Sequence, residues 1–262
     1  KPAVPLFGVP LIRRALGALR DEGVRGLHVN LWHLPEALAG ILEFEESLGI
    51  PFHAHVEEEL LGTAGGVSNA LGKPSGGDAL IYNGDVLYLG DLSPLSEMGK
   101  RNPEALAVLG LVRCDDSAIP RSVRIDSEGR IGTFLNKDSA RDDAWTFSGI
   151  HWISERLIDR LPDRGCIVGD LYAHHLSTGQ IVGVPLPGFW ADMGTLERLH
   201  SVYMSLMEDR TLLARVRPDL SAGMAEGGVA IHEEAVLEPG VELVAPCILE
   251  AGALVEAGAV LG

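Results

Sequence analysis

Near the end of the chain, Ile248-Leu-Glu-Ala-Gly-Ala is followed at once by Leu254-Val-Glu-Ala-Gly-Ala, a six-residue unit repeated almost unchanged. Few folds accept such a period. A hexapeptide unit builds a β-helix, in which short strands stack on those of the neighbouring coil. Val236, Ile248, Leu254 and Val260 fall on one register and Gly240, Gly252 and Gly258 on another, with Glu242 interrupting the apolar set. The apolar register is expected to point inward. Residues 229–262 are therefore read as a solenoid, distinct in texture from everything before them.

Upstream, apolar runs of strand length alternate with helical spacings. A helix is predicted from Pro10-Leu11-Ile12 through Ala15, Leu16 and Leu19 to Gly23, with a strand over 24–31 and a second helix over 35–48. Phe52 to Val56 reads as a strand. The Gly-rich Leu61-Gly62-Thr63-Ala64-Gly65-Gly66 leads into a short helix ending near Leu71. The stretch Leu80 to Leu89 opens as an apolar run of strand length and breaks at Asn83-Gly84; read as a buried parallel strand ending in Gly-Asp, it puts Asp85 at the carboxyl edge of the sheet. A helix over 94–99, a strand over 105–112, a hairpin turning at Ser127-Glu128-Gly129 and a strand over 145–150 follow. After them come a capped helix over 154–161, a helical stretch over 172–176, a strand over 180–185 and a helix over 195–208 capped by Thr195. This alternation predicts an α/β fold, a Rossmann-like mixed and mostly parallel sheet flanked by helices. The expected organisation is one domain over 1–209, a linker over 210–228 and the solenoid over 229–262.

A net charge of −16 argues against a nucleic-acid groove, because phosphate backbones require clustered Lys and Arg. No apolar run has membrane-spanning length. Cys114, Cys166 and Cys247 are odd in number and far apart, which fits a reducing cytoplasm and neither a disulfide framework nor a zinc site.

Open α/β sheets bind ligands at the carboxyl ends of their strands, where Asp85 offers hard oxygens to a cation such as Mg²⁺. Asp192, in Trp190-Ala191-Asp192-Met193-Gly194-Thr195, either shares that cation or caps the following helix. The Gly-rich stretch at 61–66 reads either as a wrap for a flat base, with its amides accessible, or as a tight turn before a helix. Glu57-Glu58-Glu59 reads as a solvated charge run, with Glu58 or Glu59 near ligand. His53, His55, His174 and His175 lack metal spacing, and Ser148 in Thr-Phe-Ser-Gly-Ile is no hydrolase elbow.

Taken together these stretches resemble the sugar-1-phosphate nucleotidyltransferases. The matching pieces are Lys1-Pro2 with Pro10-Leu11-Ile12, Val29-Asn30 with His33-Leu34, Leu61 to Gly66, Asn83-Gly84-Asp85, Thr146 to Ile150 and Trp190 to Thr195, in the family's order. Within the family the chain is most similar to mannose-1-phosphate guanylyltransferases and N-acetylmuramate-1-phosphate uridylyltransferases. The resemblance implies transfer of a nucleoside monophosphate from a nucleoside triphosphate to a sugar-1-phosphate, with release of pyrophosphate. It implies that Asp85 and Asp192 hold Mg²⁺ and that Lys1 contacts phosphate. It also implies that Leu61, Gly62, Gly65, Gly66 and Asn30 line the nucleotide, and that Gly149 and Asp170 face the sugar. The solenoid resembles the left-handed β-helix of several members, and its open end, which exposes apolar edges that a partner can cover, predicts a homo-oligomer. The family's first strand and Gly-x-Gly-Thr-Arg loop would lie immediately ahead of Lys1, so the sequence reads as a piece of a longer protein. Two other readings remain: a non-catalytic regulatory subunit that binds nucleotide-sugar, and an acyltransferase that uses the β-helix.

Overall fold

The computed structural model describes residues 1–38, 49–73, 76–114, 116, 119, 122–134, 143–222 and 228–262. They form two compact units: Lys1–Val4 with Pro10–Trp190, and Pro5–Val9 with Ala191–Gly262. Pro5–Leu6 (β1) and Val9–Pro10 (β2) make a small ribbon that turns through Phe7 and Gly8, both at positive φ.

In the first unit, α1 (Leu11–Asp21) buries Leu11, Ile12, Ala15 and Leu16, the face that the spacing predicts. Its first amides are taken by the preceding loop: Leu11 donates to the Val4 carbonyl at 3.1 Å and Ile12 to that of Pro2 at 2.9 Å. The buried face covers β3 (Leu27–Leu31), which pairs in parallel with β4 (Phe52–Val56). Of the helix expected over 35–48, residues 36–38 are helical and 39–48 lie outside the described residues. α2 (Gly62–Leu71) leads to β5 (Ala79–Tyr82) and, past the Asn83-Gly84-Asp85 turn, to β6 (Val86–Gly90). The expected strand ends at the turn as read, and a second strand, β6, which the sequence reading did not place, follows it. The hydrogen-bonded neighbour of β5, β10, also runs antiparallel to it, against the parallel reading.

α3 (Ser93–Arg101), β7 (Ala107–Val112), the hairpin β8 (Val123–Ile125) and β9 (Ile131–Phe134), β10 (Thr146–Ile153), α4 (Glu155–Ile158), β11 (Ile181–Pro185) and β12 (Gly188–Asp192) follow. The central sheet has the order β11-β7-β10-β5, in which β11 pairs with β7 in parallel and β10 is antiparallel to both of its neighbours. The sheet is mixed. All six residues of β7 are buried because both faces are covered. Leu109 and Leu111 look into one core with Ala64, Ile153, Leu157 and Tyr172, while Val108 and Val112 look into another with Leu95, Ile150 and Trp152. Ser154 begins α4 without bonding to its amides; its hydroxyl goes to the Leu106 carbonyl, and Asp78 accepts from the Glu155 amide at 2.9 Å. A distant carboxylate has replaced the local cap.

The second unit carries α5 (Leu196–Glu208), and here Thr195 does cap, accepting from the Arg198 amide. The stretch expected to be a linker is largely helical, as α6 (Arg210–Val216) and α7 (Pro218–Ala222). Asp209 caps α6 by accepting from the amides of Thr211 and Leu212. Arg217, between the two helices, holds the β1–β2 ribbon. It donates to the Phe7 carbonyl at 2.7 Å, makes a forked pair with Asp219 and reaches Glu250 at 3.3 Å.

The hexapeptide segment supplies β13 (Val229–Ile231), β14 (Val236–Leu237), β15 (Glu242–Leu243), β16 (Cys247–Leu249), β17 (Leu254–Val255) and β18 (Val260–Leu261). They form three parallel pairs, with Val229 beside Cys247, Val236 beside Leu254 and Glu242 beside Val260. Each partner lies three hexapeptides further on, the spacing of one coil. The expected inward register is reversed. Val236 is 55% exposed and Leu254 and Val260 are each 64% exposed, whereas Cys247, Leu249 and Val255 are buried with the small Ala235, Ala253 and Ala259 around them. Side chains alternate across a strand, so the residues one place along take the interior.

Candidate active site

The turn that carries Asp85 is stapled on both sides. The Tyr88 amide donates to the Tyr82 hydroxyl across the turn at 3.0 Å, and burial pushes the Tyr82 phenol well above its ordinary range, so it stays neutral. Tyr88 in turn donates to the Pro187 carbonyl at 2.7 Å. The Asn83 amide donates to the Gly149 carbonyl at 3.0 Å. Gly149 sits at φ +78°, where a Cβ would meet the Asn83 side-chain nitrogen Nδ2 at 2.7 Å. The ladder between β10 and β7 shifts register between Phe147 and His151, and Ser148 satisfies that bulge by accepting from the Ile150 amide at 3.1 Å. The Trp190 indole closes the arrangement on the Ser148 carbonyl at 2.9 Å. Thr-Phe-Ser-Gly-Ile is thus the support of the Asn-Gly-Asp turn, two motifs far apart in sequence.

Asp85 is 31% exposed and faces Lys1, whose ammonium lies 3.6 Å away. Pro2 covers Gly84, where a Cβ would stand 2.8 Å from the proline ring. Lys1, Asp85 and Gly149 therefore gather around one turn. At this exposure the ion pair adds little stability, so the two charges remain available to a phosphate or a cation.

The Gly-rich stretch is not an open loop. Gly62–Leu71 is helix, and its first turn is zipped to 163–167. The Ala64 amide donates to the Gly165 carbonyl at 2.9 Å, the Gly165 amide to that of Leu61 at 2.9 Å, and the Ile167 amide to the Thr63 hydroxyl at 2.8 Å. A Cβ on Gly62 or Gly65 would come within 2.5 Å of the carbonyl of Gly165 or Asp163. Gly65 and Gly66 are buried, so they serve close packing, while Leu61 and Gly62 stay half-buried. Glu57 is the residue that sequence reasoning missed. Placed in a solvated run, it is only 6% exposed; it accepts from the Asn30 side chain at 3.1 Å and from the Leu61 amide at 3.3 Å. Gly66 packs on both Asn30 and Glu57. Asn30, Leu61 and Gly66 thus meet at one buried carboxylate. No pattern of apolar spacing flags it, because three acids in a row look like surface.

Asp170 is exposed and accepts from the Cys166 amide at 2.7 Å, which opens a π-helical turn over Ile167–Tyr172. In the second unit, Asp192 accepts from the Gly194 amide at 2.9 Å and pairs with Arg198 at 2.6 Å through the same oxygen. Among the described residues, no three of His, Cys, Asp and Glu surround a common point, and no helix is long and apolar enough to cross a membrane.

A family model described as Nucleotidyl transferase matches residues 1–209. The chain belongs to that family. The chain is 26% identical over 262 residues to a mannose-1-phosphate guanylyltransferase of Mycobacterium tuberculosis, covering 98% of this chain and 71% of that protein. A probable mannose-1-phosphate guanylyltransferase 1 of Oryza sativa subsp. japonica is also 26% identical, with 98% and 73% covered. The crystal structure of HddC from Yersinia pseudotuberculosis superposes with a TM-score of 0.66 at 21% identity, over 78% of this chain and 88% of that one, and so shares the fold.

Proposed function

We propose that the chain transfers GMP from GTP to a hexose 1-phosphate, with mannose 1-phosphate as its sugar. The family match is the observation that carries nucleotidyl transfer. The names of the relatives, and a structure of HddC described as complexed with GMP-PN, support guanine and mannose. An oxygen of the sugar phosphate attacks the α-phosphorus of GTP; the bond from that phosphorus to the bridging oxygen breaks, and pyrophosphate leaves with the electron pair. No covalent enzyme intermediate is required, so positioning and charge neutralisation supply the rate.

Lys1 contacts phosphate as a point charge, beside the turn that Asn83, Gly149 and Trp190 make rigid. Leu61 and Gly62 face the base, with Glu57 and Asn30 fixing their backbone; Gly149 and Asp170 face the sugar. Mg²⁺ suits the remaining donors. Among the described residues, Lys1 engages one oxygen of Asp85, and Gly194 and Arg198 engage one of Asp192, which leaves the second oxygen of each carboxylate. Mg²⁺ takes one or two carboxylates and completes its shell with water and substrate phosphate. Bound there it would offset the charge that develops on the phosphates.

Within the described residues β3 pairs only with β4, and β5 only with β10. A cavity of about 720 Å³ is lined by Leu27 and His28 of β3, by β5, and by Val67 and Trp152. We take the solenoid as a left-handed β-helix and the enzyme as a cytoplasmic homo-oligomer. The exposed apolar Val236, Leu254 and Val260 support self-association.

Pyrophosphate release from the full-length protein tests the reaction, with each nucleoside triphosphate against a panel of sugar-1-phosphates in Mg²⁺. Release is expected with GTP and mannose 1-phosphate, and its loss in Asp85→Ala. Release with another pair would replace the substrates and keep the reaction. Nucleotide-sugar binding without release from any pair would replace the enzyme by the regulatory subunit.

A further inference from the structure

One short segment, residues 163–170, touches both halves of the proposed site. On one side it is zipped to the turn that faces the base. The Gly165 amide donates to the Leu61 carbonyl, the Ala64 amide to the Gly165 carbonyl, and the Ile167 amide to the Thr63 hydroxyl at 2.8 Å. On the other side it holds the acid that faces the sugar. The Cys166 amide donates to Asp170 Oδ2 at 2.7 Å, and the Asp170 amide donates back to the Cys166 carbonyl at 2.9 Å. Among the described residues the second oxygen, Oδ1, has no partner. The segment thus orients the carboxylate and leaves one oxygen for a ligand.

Glycine makes both contacts possible. A Cβ on Gly62 would stand 2.5 Å from the Gly165 carbonyl oxygen, and a Cβ on Gly165, at φ +141°, would stand 2.7 Å from Asp170 Oδ2. Gly165 is wedged between the two, with no room for a side chain at either contact. Backbone packed this closely passes a displacement on and does not absorb it. The ion pairs at the rim, Arg164 with Glu59 and Lys73 with Asp163, are exposed and add little.

Of the three bonds that zip the segment to the turn, only the one to the Thr63 hydroxyl uses a side chain. We propose that Thr63 is a positioning residue for the sugar: its hydroxyl fixes the Ile167 amide and, through the turn that follows, where Asp170 presents Oδ1. The inference rests on the reading in which Asp170 faces the sugar and Leu61 and Gly62 face the base. Ile167 suits the relay, because its side chain is buried in the core while its amide opens the π-helical turn Ile167–Tyr172 that carries Asp170. Without the hydroxyl that amide loses its acceptor, and the start of the turn shifts to find another.

Calorimetry of the full-length protein with GDP and with GDP-mannose in Mg²⁺ tests this, since the two ligands differ by the mannose. Should pyrophosphate release select another pair, its nucleoside diphosphate and nucleotide-sugar replace these probes. Asp170→Ala should weaken GDP-mannose and spare GDP. Thr63→Val keeps the shape and removes the hydroxyl. It should weaken GDP-mannose about 5-fold, the equivalent of one neutral hydrogen bond, and GDP by less than about 2-fold. Thr63→Ser should restore the parent affinity. In the Asp170→Ala background, Thr63→Val should weaken GDP-mannose no further than GDP. Thermal melting reports whether each variant folds, and Thr63→Ala replaces Thr63→Val if that one does not. Equal weakening of both ligands, or a full second loss in the double variant, makes Thr63 a support of the fold alone and overturns the proposal. Weakening by Asp170→Ala but not by Thr63→Val overturns it too and keeps the sugar reading of Asp170. GDP-mannose binding that survives Asp170→Ala overturns that reading and the proposal with it.

Discussion

His151 offers a direct test of the core. It lies on β10 with both ring nitrogens buried and unbonded among the described residues, edge-on to Tyr172 at 5.7 Å between centroids. Burial holds its pKa down from 6.5 to about 3. The native state therefore keeps the ring neutral, while the unfolded chain takes up a proton below pH 6.5. Because the depressed value belongs to the folded state of a base, stability is complete above pH 6.5 and falls as the pH drops from there towards 3. Between pH 7 and pH 5 the linkage amounts to about 2 kcal/mol, at about 1.4 kcal/mol per pH unit over the interval in which only the unfolded chain is protonated. The perturbation is His151→Leu, which keeps an apolar side chain of similar size and removes the titration. Urea unfolding of both proteins at pH 7 and pH 5 measures the effect. Other titrating groups contribute equally to both proteins and cancel in the difference. At pH 7 the variant should match or slightly exceed the parent, since unbonded buried nitrogens contribute nothing favourable. At pH 5 it should be the more stable by about 2 kcal/mol. Equal pH dependence of the two proteins, or an NMR titration of His151 near 6.5, would refute the reasoning.

Two further substitutions probe the supports of the site and of the second unit. Gly149→Ala forces a side chain into a positive-φ position against Asn83, at a cost of about 1–3 kcal/mol. Because Asn83 carries the Asp85 turn, kcat should fall more steeply than the melting temperature, and steady-state kinetics beside a thermal melt will separate the two. Arg217→Ala releases the β1–β2 ribbon, Asp219 and Glu250 together and should cost about 1.5–3 kcal/mol in chemical denaturation. Arg217→Lys should recover only part of this, since an ammonium cannot reproduce the fork on Asp219 while reaching Phe7.

Much of the architecture could be read from local pattern. The spacing of α1, the Thr195 cap, the turn after Tyr82 and the six-residue period of the repeat each depend on residues within a few positions of one another, and such signals survive outside their tertiary context. Asn-Gly-Asp and Thr-Phe-Ser-Gly-Ile entered only as two separate pieces of a family resemblance; that Asn83 is seated against Gly149 required the fold.

Tertiary structure decided where local signals were equal or misleading. Leu254 and Val255 are both apolar, and which of them faces inward depends on the room inside the coil. Gly62 and Gly65 lie against the backbone of 163–165, a close approach that neither the base-wrap nor the tight-turn reading of 61–66 contained. Glu57 sits in a run of acids that reads as surface, yet Asn30 and the Leu61 amide bring two donors to its carboxylate and make burial tolerable. By itself the sequence determined the order of the elements, the family motifs and the residues available for chemistry, because these need only near neighbours along the chain. Which acid is buried, which face of the repeat is interior and which backbone Gly62 and Gly65 meet depend on segments brought together from far apart, and those only the folded chain could decide.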